Sequence, residues 1–263
     1  MSFADVNGVR VHYRLDGPPA APVVTLSNSL GTNLSMWDGQ IAALAGKFRV
    51  LRYDTRGHGQ SSVTNGPYAM DRLGRDVVDL WNALKIDRAH FCGLSMGGMI
   101  GMWLAMNAAG PLDRLILCDT APRIGTTEAW NSRIEAVHKN GMQSVAAAVV
   151  QRWFTPEFGA RAPSAVDRTR QMLLNTCVDG YAACCGALRD TDFREGIATI
   201  RTRTLVIGGS KDPVTTPADA SFLIDRISGA RYVELQSSHL SNIEAESAFN
   251  DAIVQFLDEP EAK

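Results

Sequence analysis

Short, largely apolar runs recur along the chain and are separated by amphipathic segments. Such runs are typical of buried strands and lie at residues 23–26, 48–53, 89–93, 115–118, 204–207 and 232–235. Residues 9–15 alternate instead, which predicts an exposed antiparallel strand. Leu73, Val77, Leu80 and Leu84 recur at helical spacing and predict an amphipathic helix. Strands that alternate with helices predict an α/β fold with a mostly parallel central sheet and flanking helices.

The middle of the chain departs from this alternation. Residues 122–193 contain little β-forming sequence and are predicted to form helices at about residues 128–139, 142–153, 165–175 and 180–188. This segment falls between two predicted strands of the sheet, so we interpret it as an inserted helical cap. The predicted organisation is a core of residues 1–121 and 194–263 with a cap of residues 122–193.

Composition narrows the class of protein further. The chain has 263 residues and a formal net charge of −2, and no Lys/Arg-rich stretch suggests nucleic acid or a membrane surface as a partner. The first residues lack the features of a secretory signal, and the apolar stretch 96–109 is too short to span a bilayer. Five irregularly spaced cysteines argue against a disulfide framework or a zinc site. We therefore expect a cytoplasmic protein with reduced thiols.

The clearest chemical pattern is Gly-Leu-Ser-Met-Gly at residues 93–97, between a predicted strand and a predicted helix. This G-x-S-x-G pattern is typical of a nucleophile elbow, in which the serine lies on a tight, strained turn. Side chains two residues before and after that serine would collide with their neighbours, which explains the glycines. We therefore predict that Ser95 is a nucleophile at a helix N-terminus.

A serine hydroxyl needs a base to take its proton, and the base needs an acid to orient it. In this strand–turn–helix context the expected chain order is serine, acid, histidine. His239 follows the last predicted strand and is the predicted base, whereas His138 lies in a charged helical context and is expected to be solvated. Asp212 follows the strand at 204–207 and is the predicted acid; its rival, Asp219, is expected on the next helix.

The oxyanion of an acyl-transfer intermediate needs backbone N–H donors. One donor is expected from the residue after the nucleophile, Met96, and the other from the loop at residues 28–32, where we choose Leu30. The loop at residues 54–61 is rich in charge and glycine, and we expect a structural role for Asp54, Arg56 and His58.

With these residues in place, the chain resembles the α/β-hydrolase superfamily over its whole length and, more narrowly, the 3-oxoadipate enol-lactonases. The stretches that carry the narrower resemblance are LSNSLGT at 26–32, WD at 37–38, YDTRGHG at 53–59, FCGLSMGG at 91–98, TAP at 120–122, GYAACC at 180–185 and SHLSNIE at 238–244. The resemblance implies the α/β-hydrolase fold and hydrolysis of 3-oxoadipate enol-lactone to 3-oxoadipate, in the β-ketoadipate route of aromatic-compound breakdown. That reaction needs no metal and no organic cofactor.

The implied substrate is a small anionic lactone, so a cationic group should hold its carboxylate. The cap contains six candidates, which are Arg123, Arg133, Arg152, Arg168, Arg170 and Arg189. Among these we choose Arg133. We expect Trp130 and Trp153 to line the apolar side of the pocket, and Ser29 to contact the substrate.

Other functions remain open at this stage. A broad carboxylesterase or a carbon–carbon bond hydrolase could use the same triad, and a cofactor-free haloperoxidase could share it. A ligand receptor that keeps the triad but turns over slowly is the alternative from another class. The sequence leaves the oligomeric state open, a homo-oligomer included.

Overall fold

The computed structural model describes residues 2–260. Within these residues, eight strands form one sheet: β1 (Ser2–Val6), β2 (Val9–Asp16), β3 (Val23–Ser27), β4 (Arg49–Tyr53), β5 (Ala89–Leu94), β6 (Leu112–Cys118), β7 (Arg203–Gly209) and β8 (Arg231–Leu235). Their spatial order is β1-β2-β4-β3-β5-β6-β7-β8. The β1–β2 and β2–β4 pairs are antiparallel, and all other pairs are parallel.

Eleven α-helices lie between and after the strands in the same described part of the chain. They are α1 (Asp38–Leu44), α2 (Met70–Ala83), α3 (Met96–Asn107), α4 (Thr127–Asn140), α5 (Gln143–Trp153), α6 (Pro156–Arg161), α7 (Pro163–Leu174), α8 (Val178–Arg189), α9 (Pro217–Arg226), α10 (Ser241–Glu244) and α11 (Glu246–Asp258). Every residue of β3 and of β5 is buried, because helices cover both faces of the central sheet. This architecture confirms the predicted α/β-hydrolase fold with its mostly parallel sheet. None of the helices within residues 2–260 combines the length and apolar character that crossing a membrane requires.

The amino-terminal edge of the sheet differs from the prediction. Strand β1 was not predicted, although Asn7-Gly8 is a strong hairpin signal: both residues have positive φ, 45° and 70°, as a two-residue type I′ turn requires. Because β1 and β4 flank β2, this strand is less exposed than its alternating sequence suggested. Val9, Val11 and His12 are all buried.

Five helices, α4 to α8, lie between β6 and β7, inside the segment predicted to be a cap. Four of them match predicted helices, and the short α6 was missed. Thr155 caps α6 by accepting a hydrogen bond from the Phe158 amide, and Pro156 occupies its first position, where proline is tolerated. The predicted division at residues 121/122 and 193/194 stays a prediction.

The end of α5 is fastened to the loop between β8 and α10. The Ser238 hydroxyl donates to the Arg152 carbonyl at 2.8 Å, and the Leu240 amide donates to the Trp153 carbonyl at 3.1 Å. The buried Glu244 carboxylate accepts from the Thr155 amide and hydroxyl and from the Ser238 amide. Cap and core are therefore joined by hydrogen bonds at this corner of the molecule.

Candidate active site

Ser95 occupies a strained turn between β5 and α3. Its backbone has φ 57° and ψ −112°, and its amide donates to the Cys118 carbonyl at 2.9 Å. A Cβ atom on Gly93 would lie 2.1 Å from the Gly97 carbonyl oxygen, and one on Gly97 would lie 2.2 Å from the Ser27 carbonyl oxygen. Neither position can accept a side chain without displacing backbone, which is the physical reason for glycine on both sides of the serine.

The structure brings Ser95, His239 and Asp212 together in one hydrogen-bonded chain. Ser95 Oγ lies 3.0 Å from His239 Nε2, and His239 Nδ1 lies 2.7 Å from Asp212 Oδ2. The three residues are at most 5% exposed. In this order the serine hydroxyl can donate to the imidazole while the imidazole N–H donates to the carboxylate, which is the arrangement of a nucleophile with its base and orienting acid.

The Asp212 carboxylate is held by the loop that carries it. It accepts hydrogen bonds from the Val214 amide at 2.7 Å, the Thr215 amide at 3.2 Å and the Thr215 hydroxyl at 2.6 Å. Burial alone would raise the pKa of Asp212, but the charge of His239 and these hydrogen bonds lower it overall. Asp212 is therefore an anion when the imidazole is protonated. Asp219, its rival, accepts hydrogen bonds from Thr216 at the start of α9 instead.

His239 is fully surrounded by protein, and its pKa is set by opposing effects. Burial lowers the pKa, whereas the charge of Asp212, its hydrogen bond and the charge of Asp119 raise it above the ordinary 6.5. Arg152 acts in the opposite direction. The net increase makes the imidazole a stronger base for a serine hydroxyl. His138, the other histidine after Ser95, is half exposed on α4, as predicted.

The residues predicted as oxyanion donors lie in the loop after β3, for Leu30, and at the start of α3, for Met96. Met96 is the first residue of α3, and a helix leaves its first amides without partners inside the helix. The loop of Leu30 is fixed on both sides, because the Gly31 amide donates to His58 Nε2 at 3.0 Å and Asn28 accepts from the Gly97 amide at 3.1 Å. Within residues 2–260, the amides of Leu30 and Met96 have no acceptor.

His58 accepts the hydrogen bond from the Gly31 amide as a neutral imidazole. Burial lowers its pKa to about 4, so the ring is uncharged near neutral pH and Nε2 can accept a hydrogen bond. In the same loop, Asp54 accepts from the Leu34 amide at 2.8 Å and Arg56 forms a buried ion pair with Asp76. These contacts confirm the structural role predicted for Asp54, Arg56 and His58.

A cavity of about 210 Å³ opens above Ser95 and His239 and lies between the core and the cap. Its polar, cationic and aromatic lining includes Ser29, Trp130, Arg133, Arg152, Trp153 and Tyr181. The structure therefore places all four residues predicted to bind substrate at the cavity. It also adds Arg152 and Tyr181, which sequence reasoning had not selected. Among the described residues, no cluster of histidine, cysteine or acidic side chains could hold a metal ion.

The six candidate arginines of the cap separate into those outside the cavity and those that line it. Arg123 pairs with Asp192 at 3.4 Å, Arg170 with Asp167 at 3.6 Å and Arg189 with Asp190 at 2.7 Å. The exposed Arg168 does not line the cavity.

Arg133 and Arg152 line the cavity and are partly buried, and within residues 2–260 neither forms a salt bridge with a carboxylate. Arg133 lies 4.9 Å from the centre of the Trp130 ring. Burial and the charge of Arg133 lower the pKa of Arg152. Two guanidinium groups that lack an anion thus share one small pocket.

Comparisons with known proteins show which family the chain resembles. The family model described as the alpha/beta hydrolase fold matches residues 22–246. The chain is 43% identical to 3-oxoadipate enol-lactonase 2 of Acinetobacter baylyi, over 93% of this chain and 92% of that protein. It is 42% identical to 3-oxoadipate enol-lactonase 1 of the same organism, over 92% and 91%. The crystal structure of the enol-lactonase from Burkholderia xenovorans LB400 superposes with a TM-score of 0.97 at 48% identity, covering 98% of this chain and 100% of that one.

Proposed function

Because the chain belongs to the α/β-hydrolase family and, within it, groups with the 3-oxoadipate enol-lactonases, we propose that it hydrolyses 3-oxoadipate enol-lactone to 3-oxoadipate. The observation that carries this proposal is the hydrogen-bonded chain Ser95–His239–Asp212 beneath a pocket that contains two arginines without an anion. The same assignment makes the protein a carboxylic ester hydrolase of the β-ketoadipate route.

In the proposed first half-reaction, Ser95 Oγ attacks the lactone carbonyl carbon while His239 takes the hydroxyl proton. Asp212 holds the imidazolium that forms. The amides of Leu30 and Met96 donate to the carbonyl oxygen as it becomes an oxyanion. Collapse of the tetrahedral intermediate breaks the ring C–O bond, and the ring oxygen leaves as an enolate, which needs little help from a proton donor. The product of this step is an acyl-enzyme on Ser95.

The enolate carbon takes the proton that His239 carries, directly or through water, which forms the ketone of 3-oxoadipate and leaves the imidazole neutral. In the second half-reaction, the neutral His239 removes a proton from water as the water oxygen attacks the acyl carbon. The same two amides hold the second oxyanion, and its collapse returns the proton to Ser95 and releases the acid. Each proton and bond is accounted for by side chains at the site and by water, so this scheme uses no cofactor.

Binding of the substrate carboxylate is assigned to Arg133 and Arg152 together. A guanidinium matches a carboxylate in a bidentate way, and a pair of guanidinium groups that repel each other gains most from an anion between them. Trp130 and Trp153 supply apolar walls, and Ser29 lines the cavity from within the oxyanion loop. The initial choice of Arg133 alone is thereby extended to a pair.

The proposed location is the cytoplasm, and the proposed ligand is a small anionic lactone. All five cysteines are free thiols, four of them buried, as expected in a reducing compartment.

Ultraviolet loss of 3-oxoadipate enol-lactone tests the function, with wild type and Ser95→Ala assayed beside a neutral 4-nitrophenyl ester. We expect rapid lactone opening by wild type and a loss of about 10⁴-fold or more in kcat for Ser95→Ala, because no other group replaces the nucleophile. Brisk ester cleavage with weak lactone turnover would contradict the lactonase proposal and favour a broad carboxylesterase. Unchanged lactone turnover in Ser95→Ala would overturn the mechanism itself.

A further inference from the structure

A second carboxylate lies behind the triad and has no part in the acyl transfer described above. Asp119 follows directly on β6, is 1% exposed and has a backbone φ of 43°, in the left-handed region. A residue with a side chain keeps such a backbone only where its surroundings impose it, and such positions concentrate at functional sites. The contacts of Asp119 show what imposes it here.

Asp119 accepts hydrogen bonds from the two segments that carry the partners of Ser95. Its Oδ1 accepts from the Gly209 amide at 2.9 Å, and its Oδ2 accepts from the amide and hydroxyl of Ser241. Gly209 ends β7, three residues before Asp212, and Ser241 begins α10, two residues after His239. One carboxylate therefore joins the start of the loop that carries Asp212 to the end of the loop that carries His239.

The charge of Asp119 also acts on the imidazole. The ionisable groups around Asp119 and His239 are Asp212 on the loop after β7, Arg152 on α5, Cys118 on β6 and Tyr232 on β8. Burial and the charge of Asp212 raise the pKa of Asp119 to about 7, although His239 and the hydrogen bonds from Ser241 and Gly209 oppose this increase. In return, Asp119 raises the pKa of His239.

We propose that Asp119 is a positioning residue for His239, which aligns the two triad loops through Gly209 and Ser241 and whose negative charge stabilises the imidazolium formed when Ser95 attacks. Asp119 does not touch substrate in this proposal. The proposal rests on the Ser95–His239–Asp212 mechanism and is independent of which ester is the natural substrate.

The test is the pH dependence of kcat/KM for Asp119→Asn, measured with neutral 4-nitrophenyl acetate. Asparagine keeps the size of the side chain and removes its charge. Because Asp119 raises the pKa of His239, its loss lowers that pKa, so the imidazole stays neutral to lower pH. We expect the acid limb to move down by roughly 0.5 to 1 pH unit, and kcat near neutral pH to fall about tenfold with little change in KM.

Asp219→Asn is the matched control, since the hydrogen bonds of the Asp219 carboxylate are made with Thr216 at the start of α9. It should leave the acid limb in place. A second variant, Ser241→Ala, retains the Asp119 charge and removes one donor to it. The pKa of Asp119 then rises, so Asp119 is neutral more often and stabilises the imidazolium of His239 less. The acid limb of kcat/KM should therefore also move to lower pH, by a smaller amount than in Asp119→Asn.

Two outcomes overturn the proposal. If Asp119→Asn lowers kcat while its acid limb coincides with that of wild type, Asp119 only supports the fold. If Asp119→Asn does not fold, an unmoved limb in Ser241→Ala has the same meaning. Because the ester is neutral and unrelated to the lactone, a failure of the lactonase proposal would be seen separately, in the assay with enol-lactone.

Discussion

The two sides of the cavity are built in different ways. On the core side, Ser95, Asp212 and His239 are almost completely buried, and each is held by hydrogen bonds at the end of a strand. On the cap side, Arg133 and Arg152 are partly exposed and have no salt-bridge partner in the described residues. The triad is thus held in place by the protein itself, whereas the charge proposed to bind the substrate carboxylate has no salt-bridge partner among the described residues. Substitutions on the core side should therefore change kcat, and substitutions on the cap side should change KM for the anionic lactone.

The largest effect is expected from the core side. Asp212→Asn should lower kcat about 10³- to 10⁴-fold, because an amide neither stabilises the imidazolium nor enforces the Nδ1–H tautomer of His239. Steady-state kinetics with lactone and with the neutral ester should show the same loss, since the step affected is common to both. Asp219→Asn is the control, with kcat close to wild type. A comparable loss in Asp219→Asn would show that the acid has been misassigned.

A smaller effect is expected from the cap side, and it should depend on the charge of the substrate. Arg133→Ala and Arg152→Ala should each raise KM for the anionic lactone about tenfold, the size of one lost charge-assisted contact. The KM for the neutral ester should stay within about twofold. Arg123→Ala, in which a cap arginine outside the cavity is removed, is the control. If either variant leaves the lactone KM unchanged, that arginine does not bind the carboxylate.

The last prediction needs no substitution, because the pH dependence of the unmodified protein should also distinguish the two sides of the cavity. His239 acts as a base only when neutral, and its pKa is raised above 6.5, so activity is present above that pKa and lost as pH falls through it. We expect kcat/KM to fall about tenfold per pH unit on this limb. The arginines remain cationic over the same range, so KM for the lactone should stay constant. A KM that follows the limb would contradict the separation.

Much of the core side could be predicted from the sequence because its residues lie in local patterns. Glycines on both sides of Ser95 mark a turn that tolerates no side chain, and Asp212 and His239 follow predicted strands in the expected order. The strand before Asp212 is buried, whereas β8, before His239, lies at the sheet edge and is buried only at Leu235. Asp119 has no such pattern. Its partners Gly209 and Ser241 lie 90 and 122 positions away along the chain, so only the folded sheet reveals what it does.

The cap side was harder to predict for a related reason. Six arginines lie on cap helices, and which of them face the cavity depends on how α4 and α5 pack, which helical spacing alone does not determine. Arg133 was chosen and lies at the cavity, but Arg152 was not chosen and lies there as well. The short α6 was missed because its six residues are too few for a periodic pattern.

The hydrogen bonds that join the end of α5 to the loop of His239 limit how freely the cap can be exchanged between relatives. Ser238 and Leu240 donate to the backbone carbonyls of Arg152 and Trp153, and Glu244 accepts from Thr155, so a grafted cap has to place the end of α5 in this position to keep these hydrogen bonds. A grafted cap that places the end of α5 elsewhere would disturb the loop that carries His239 as well as the pocket. Exchange of the cap on this scaffold should therefore include the segment at residues 236–244, which these hydrogen bonds join to it.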